Sequence, residues 1–239
     1  MINILITRPL SSAISLRDKI AKQINHHKIN SIIFPVINII ETESKILSQI
    51  DLSQIDIMIF ISPAAVEHSA RYIKNIKKHI KLFSIGKDTA EKIERLGLGW
   101  NKVIYPLEKF NSEALLDLKE LKDINIKNKN IMIFKGKGGN SNLRETLSAR
   151  GANIIETVVY RRCLPKPDTL PDLNQIDLIL CTSSESMNNL ISLLGEAVKE
   201  KQLLVSSERL VLLAKTLGFK HTPLLAQNAG DEALIAALF

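Results

Sequence analysis

Asp56-Ile57-Met58-Ile59-Phe60-Ile61-Ser62-Pro63-Ala64-Ala65-Val66 decides the fold. Ile57 to Ile61 is an unbroken apolar run of strand length, the pattern of a strand covered on both faces. Ser62-Pro63 breaks the run, and the residues from Ala64 to about Ile73 read as a helix. The same order of residue types returns at Asp177-Leu178-Ile179-Leu180-Cys181-Thr182-Ser183-Ser184-Glu185-Ser186-Met187, 121 positions later. The shift also places Leu82-Phe83-Ser84-Ile85 on Leu203-Leu204-Val205-Ser206, and Gly97 on Gly218. Leu143-Arg144-Glu145-Thr146-Leu147 echoes Leu16-Arg17-Asp18-Lys19-Ile20, so the first strand-helix unit belongs to the duplication too. The chain therefore reads as a doubled α/β unit, with Ser62 and Ser183 at equivalent strand-to-helix turns. Ligands of open α/β sheets sit at the carboxyl ends of the strands, and two such sets of ends facing each other would form a cleft.

Working outward, apolar runs predict further strands at Asn3–Thr7, Ser31–Val36, Ile37–Ile40, Lys81–Ile85, Ile131–Phe134, Ile154–Val159, Leu203–Val205 and Pro223–Ala226. Helices fall between them: Ala13 to about Asn25, capped by Ser11 or Ser12, then Glu43–Ile50, a helix ending at Gly97, one beginning at Ser112, Asn142–Arg150, Glu185 to about Lys199, Glu208–Leu217 and Asp231–Leu238. The polar segment Lys119–Asn130 reads as a mobile loop. Strands alternating with helices predict mainly parallel sheets with helices on both faces. Two copies predict two such sheets, and Pro35 and Pro165 mark where the chain would pass between them.

Composition narrows the function classes. The 239 residues carry a net charge of +7 and are 45% hydrophobic, with mean hydropathy +0.07. No apolar run reaches the ~20 residues of a membrane helix. The first ten residues lack the charged start and cleavage site of a signal peptide. We therefore expect a cytoplasmic protein with no membrane partner. Cys163 and Cys181 are too few for a disulfide framework. The five histidines (His26, His27, His68, His79, His221) show no ligand spacing, so no metal is expected. Aromatic content is only 5%, and no basic stripe is interleaved with aromatics, which argues against nucleic acid. The lysine excess, at Lys74, Lys77, Lys78, Lys81 and Lys119 to Lys129, reads as solvated helix ends and loops. The net charge by itself is compatible with nucleic acid, a membrane surface or an anionic small molecule.

Three features could carry chemistry. Lys135-Gly136-Lys137-Gly138-Gly139 is a glycine loop between strand and helix, where backbone N–H groups can approach an anion. It could equally be a tight turn. It is not a P-loop, and Ser141 stands where a dinucleotide fingerprint needs its third glycine. Second, Thr7, Ser62, Thr89, Thr182, Ser183 and Ser206 all stand at strand ends. Each could merely cap the next helix, but their shared placement favours an oxyanion site. Third, Tyr160 lies on the segment Tyr160-Arg161-Arg162-Cys163, read as a crossing between the sheets. It is either a linker side chain or a phenol that reaches a cleft and donates a proton to a leaving oxygen. No matched acid/base set accompanies these groups.

The residues then resemble the uroporphyrinogen-III synthase family. The cues are Ile6-Thr7-Arg8-Pro9, Phe34-Pro35, Phe60 to Val66, Ile85-Gly86 with Thr89-Ala90, Phe134-Lys135-Gly136 with Gly138-Gly139, Val159-Tyr160-Arg161-Arg162, Thr182-Ser183-Ser184-Glu185, Ser206-Ser207-Glu208-Arg209 and Asp231-Glu232-Ala233-Leu234. The resemblance implies two similar α/β domains, 1–35 with 165–239 and 38–160. A two-stranded linker near 35–38 and 160–165 would join them, with the active site in the cleft between. It implies closure of linear hydroxymethylbilane to uroporphyrinogen III with loss of water, inversion of the last pyrrole ring and no cofactor. A polycarboxylate tetrapyrrole would be the small-molecule partner, with hand-over from hydroxymethylbilane synthase. A non-enzymatic binding protein for an anionic metabolite is the alternative. By position, Tyr160 matches the proposed proton donor. Thr7, Arg8, Ser62, Thr89, Lys135, Gly136, Gly138, Thr182, Ser183 and Ser206 would meet substrate. Ile61 stands where Thr is frequent, and Lys135 and Asn140 stand where Arg is frequent, so the second turn is expected to make more side-chain contacts than the first.

Overall fold

The computed structural model describes residues 2–23, 29–73, 77, 79–97 and 102–238. The chain divides into two compact units, Met1–Asn38 with Cys163–Phe239, and Ile39–Arg162.

The first unit contains β1 (Ile2–Ile6), α1 (Leu10–Gln23) and β2 (Ile29–Ile33). In chain order the second then supplies β3 (Asn38–Glu41), α2 (Lys45–Gln49), β4 (Ile57–Phe60), α3 (Pro63–Ile73), β5 (Lys81–Ser84), α4 (Lys87–Arg95), α5 (Ser112–Leu116), α6 (Asp123–Ile126), β6 (Asn130–Gly136), α7 (Asn142–Ala149) and β7 (Asn153–Cys163). The first unit resumes with β8 (Leu178–Cys181), α8 (Ser184–Leu194), β9 (Gln202–Val205), α9 (Glu208–Leu217), β10 (Leu224–Leu225) and α10 (Asp231–Ala236). Its sheet has the order β10-β9-β8-β1-β2, with every neighbouring pair parallel. The other sheet has the order β3-β7-β6-β4-β5, and its β7-β6, β6-β4 and β4-β5 pairs are parallel.

The sequence repeat is a structural repeat. β4 reappears as β8, α3 as α8 and β5 as β9, each boundary shifted by the same 121 positions. The polar fastenings repeat with them. Asp51 and Asp172 accept the N–H of Ser53 and Asn174, at 2.9 and 3.0 Å, and so start equivalent 3-10 turns. The carboxylate of Asp56 accepts Asn130 N–H at 2.9 Å, and that of Asp177 accepts Asn3 N–H at 2.8 Å. In both copies an aspartate at the foot of one central strand thus holds the foot of its neighbour. Gly97 and Gly218 close the equivalent helices at φ +71° and +86°, a conformation that costs a side-chain-bearing residue.

Alternation along β4 explains why both sheet faces must be covered. Ile57 and Ile59 join a core with β6, α5 and α7, whereas Met58 and Phe60 join the opposite core with α3 and α4. All four are at most 3% exposed. In the first unit, Ile4, Ile6, Leu178, Leu180 and Leu204 pack against Ala13, Leu16 and Ile20 of α1 and Leu234 and Ile235 of α10. Their alternates Leu5, Ile179, Cys181, Leu203 and Val205 are equally buried.

Several local expectations need correction. Ser11 and Ser12 do not cap α1. They lie inside it, because the helix starts at Leu10 and the Pro9 carbonyl accepts Ala13 N–H at 2.9 Å. Pro9 fixes φ just ahead of the first turn and substitutes for a side-chain cap. The expected end of α1 near Asn25, and Ile24, His26, His27, Lys74 and Lys78, lie outside the described residues. The helix from Glu185 stops at Leu194, where Gly195 at φ +73° turns the chain into a separate 3-10 segment. The largest correction is Lys119–Asn130. It is not a loop but a 3-10 turn, Lys119–Leu121, followed by α6. Leu121 and Ile126 are fully buried in the core shared with Leu115, Leu116, Leu143 and Leu147. Arg150 pins the segment by donating to the carbonyls of Leu116 and Leu121, both at 2.8 Å. The lysines and asparagines are only its solvent side.

Two outcomes follow. Leu121→Ala should destabilise the protein by about 2–5 kcal/mol, the range for a buried leucine; a urea midpoint unchanged from wild type would return the segment to a loop. For Asp56, burial opposes the charged form. The Asn130 N–H and then Lys129 outweigh it, so its pKa lies below the usual 3.8. A depressed carboxylate stabilises the fold above its unfolded pKa and loses that contribution as pH falls through the folded value. Urea titrations at pH 7 and pH 3 should therefore show Asp56→Asn losing less stability on acidification than wild type.

Candidate functional site

The parallel strands of each unit end on one edge, and the helices that follow them start there. Backbone N–H groups and the positive ends of helix dipoles collect at that edge. The residues singled out from sequence all lie at or near it, but the structure employs them differently.

In the second unit β4 ends at Phe60, and Ser62 forms the turn into α3. Its Oγ accepts Ala65 N–H at 3.1 Å, a helix cap. The same oxygen lies 3.0 Å from the phenol oxygen of Tyr160. Tyr160 belongs to the 11-residue strand β7, on which the chain passes from the second unit, ending at Arg162, to the first; its neighbour β6 runs on through Lys135 and Gly136. Parallel pairing brings Gly136 opposite Tyr160 across a register shift. The phenol ring fills the space over the glycine: a methyl group there would stand 2.6 Å from Tyr160 Cε2 and Cζ. Gly136 is therefore a seat for the ring. Gly138 and Gly139, at φ +81° and +90°, make the turn beyond it. Tyr160 itself is 1% exposed, packed among Phe60, Phe134 and Val159. Arg162 Nη2 lies 3.4 Å from its oxygen, and His68 tilts against the ring.

Lys135 pairs with Glu156 at 2.9 Å, and Arg144 approaches the same carboxylate at 3.8 Å. Thr89, in the first turn of α4, is 2% exposed.

In the first unit Ser183 repeats the cap of Ser62. Its Oγ accepts Ser186 N–H at 3.0 Å, but its second neighbour is the Ser186 hydroxyl at 2.8 Å rather than a tyrosine. Ser206 donates to the carbonyl of Thr182 at 3.3 Å, tying two adjacent strand ends together. Thr7 is fully buried and donates to the Leu180 carbonyl at 2.7 Å. Arg8 is engaged by Asp231, a carboxylate 3% exposed that also takes Lys19 at 3.0 Å. Cys181, next to these ends, is no nucleophile, since burial pushes its thiol pKa up to about 12. Among the described residues, no group of three or more His, Cys, Asp or Glu could hold a metal ion, and no helix is long and apolar enough to cross a membrane. A groove of about 420 Å³ beside α9 and β10 is lined by Glu208, Val211, Leu212, Thr222, Pro223 and Leu225 and lacks converging polar groups.

The structure thus gathers Ser62, Gly136, Tyr160 and Arg162 into one group, and Thr182 with Ser206 into another. Sequence reasoning missed Arg162, Asp231 and Glu156 as partners. Arg162 was within reach of it, because residues two apart on a strand share a face. Asp231 and Glu156 are joined to their cations only through the tertiary fold. A direct check of the ring seat is available. Gly136→Ala should destabilise the protein by about 1–3 kcal/mol through overpacking. In a Tyr160→Ala background most of that penalty should vanish. Equal penalties in both backgrounds, measured by urea denaturation, would show that the ring is not what the glycine accommodates.

A family model described as Uroporphyrinogen-III synthase HemD matches residues 18–236. The chain is 34% identical over 166 residues to the uroporphyrinogen-III synthase of Escherichia coli, covering 65% of each chain. It is 36% identical over 168 residues to that of Salmonella typhimurium, covering 66% of each. The matched stretch therefore spans about two thirds of the length of these curated relatives. Among solved structures, the uroporphyrinogen-III synthetase of Helicobacter pylori aligns over 100% of this chain and 98% of its own, with TM-score 0.61 and 16% identity. A mutant uroporphyrinogen III synthase of Thermus thermophilus aligns over 100% and 96%, with TM-score 0.55 and 14% identity. These two share the fold, and the family match over nearly the whole sequence carries the assignment: the chain belongs to the uroporphyrinogen-III synthase family.

Proposed function

We propose that this chain closes linear hydroxymethylbilane to uroporphyrinogen III, with loss of water and inversion of the last pyrrole ring. The observation that carries the reading is the Ser62–Tyr160 hydroxyl pair, held 3.0 Å apart at the carboxyl edge of a parallel sheet in a chain of this family. The reaction asks little of acid/base chemistry. A pyrrole nitrogen lone pair pushes out the hydroxyl of the adjacent hydroxymethyl carbon, and weak proton donation suffices. The cation that results would close unaided to the unwanted isomer, so the protein's task is to hold the chain for attack by the substituted carbon of the last ring, which is positioning. Strand-end hydroxyls and helix N-termini suit that task better than a charged catalytic set.

Within this proposal the acetate and propionate groups of the substrate meet Thr182, Ser183, Ser206, Lys135 and the turn at Gly138, and Ser62 meets the reacting end of the chain. Thr7 and Thr89 are buried, and Arg8 is held by Asp231. These three shape the strand ends from behind. The net charge of +7 favours a polycarboxylate. We further place the chain in the cytoplasm, receiving its labile substrate from hydroxymethylbilane synthase. Its free cysteines, Cys163 and Cys181, fit a reducing compartment.

The test is an isomer assay. Freshly prepared hydroxymethylbilane is incubated with the protein, oxidised, and the porphyrin isomers separated. Type III product above the spontaneous background is expected. Type I product alone, formed at the uncatalysed rate, would reduce the chain to an anion-binding protein.

A further inference from the structure

The hydroxyl group best suited by chemistry, the Tyr160 phenol, is enclosed: the residue is 1% exposed. Ser62, against it, is half-buried at the turn that starts α3. The hydrogen bonds around the two give the pair a direction. Arg162 can only donate, so the Tyr160 oxygen accepts from it at 3.4 Å. Among the described residues, the one acceptor left for the phenol hydrogen is Ser62 Oγ, 3.0 Å away. Were Ser62 to donate instead, the phenol hydrogen would be buried without a partner, which folded proteins avoid. Ser62 Oγ also accepts Ala65 N–H at 3.1 Å, so both its lone pairs are occupied. Its own hydrogen then points out of the network with no acceptor among the described residues. The chain of donors runs Arg162 to Tyr160 to Ser62 and ends at a Ser62 O–H left to donate.

From this we propose that Ser62, not Tyr160, makes the contact with the departing hydroxyl of the substrate, and that Tyr160 supplies the proton through it. The proposal rests on the reaction proposed above. In the step, Ser62 gives its hydrogen to the leaving oxygen as the carbon–oxygen bond breaks and the electron pair leaves with the oxygen as water. The Tyr160 hydrogen moves to Ser62 Oγ, leaving a phenolate beside the Arg162 guanidinium. The pyrrole nitrogen lone pair makes good the electron deficit at carbon. When the last ring regains aromaticity after closure it sheds one proton from its free carbon, and that proton returns along Ser62 to Tyr160. No outside acid or base is consumed.

Four proteins test the relay: wild type, Ser62→Gly, Tyr160→Phe and the double variant. Glycine keeps most of a helix cap's stabilisation, and Ser62→Thr, which retains the hydroxyl, controls for folding. Each single variant should lower kcat by about tenfold, the lower end for a proton donor because the pyrrole assists. KM should change little, and Ser62→Thr should recover most of the loss. The double variant should be no slower than the worse single variant, because both act in one path. In mixtures of light and heavy water, the wild-type rate should curve with deuterium fraction, as two protons in flight require, and should lose that curvature in Tyr160→Phe. If Ser62→Gly keeps wild-type kcat while Tyr160→Phe falls, or if the single losses multiply in the double variant, the relay is wrong. Those results leave the cyclisation reading standing, whereas type I product alone from wild type overturns both.

Discussion

Burial of β4 and β8 on both faces is the constraint from which the rest of the structure follows. Each of these strands sends alternate side chains into two separate cores, and each such side chain contributes about 1.5–3 kcal/mol when fully buried. Along such strands a hydroxyl or a charge is costly unless it finds a buried partner. Polar chemistry is displaced to their ends, where helix starts offer unpaired N–H groups. At the other end, Asp56 and Asp177 fasten each strand to its neighbour through a backbone N–H. The feet of the strands thus hold register, and their tips are left for ligands.

The repeat shows how one frame supports two different tips. Ser62 and Ser183 make the same cap with the same spacing. What differs is the second neighbour of each hydroxyl. In one copy it is a phenol delivered by a long strand; in the other it is Ser186, one turn along the same helix. Ile61 and Ile85 of one copy correspond to Thr182 and Ser206 of the other, whose strand ends are tied together by a hydroxyl-to-carbonyl bond. One copy therefore concentrates its polar groups around Tyr160, and the other spreads them along adjacent strand ends.

Much of this was legible in the sequence because it is written in local terms. The apolar run Ile57–Ile61, the Ser-Pro stop and the uniform shift of the second copy specify strands, turns and their order without reference to the rest of the chain. What escaped was non-local, or fell below the length at which a period can be read. Leu121 and Ile126 lie on elements of three and four residues, too short to show a helical repeat, so the surrounding lysines dominated the reading. The bond between Arg8 and Asp231 joins residues 223 positions apart. Pro9 took over the start of α1 from Ser11 and Ser12, a competition between two starting signals that sequence alone does not rank. The strand that carries Tyr160 reads as ending at Val159, whereas β7 continues to Cys163, because Arg161 and Arg162 interrupt the apolar run.

Gly136 draws these threads together. It lies within β6, where a glycine contributes no side-chain packing and gives up about 0.5–1 kcal/mol relative to alanine through backbone entropy. The pairing of β6 with β7 also slips at this point, between Lys135 and Gly136. Both features weaken the strand, and neither is needed to finish the core, since Phe134 just before already stacks on Phe60 with ring centroids 4.8 Å apart. What they achieve together is room for one aromatic ring against the backbone, its hydroxyl 3.0 Å from Ser62 Oγ. Local rules are broken in native proteins chiefly where a site requires it. A strand made worse as a strand at the point that seats the phenol fits the role proposed for Tyr160, beside its place in the core.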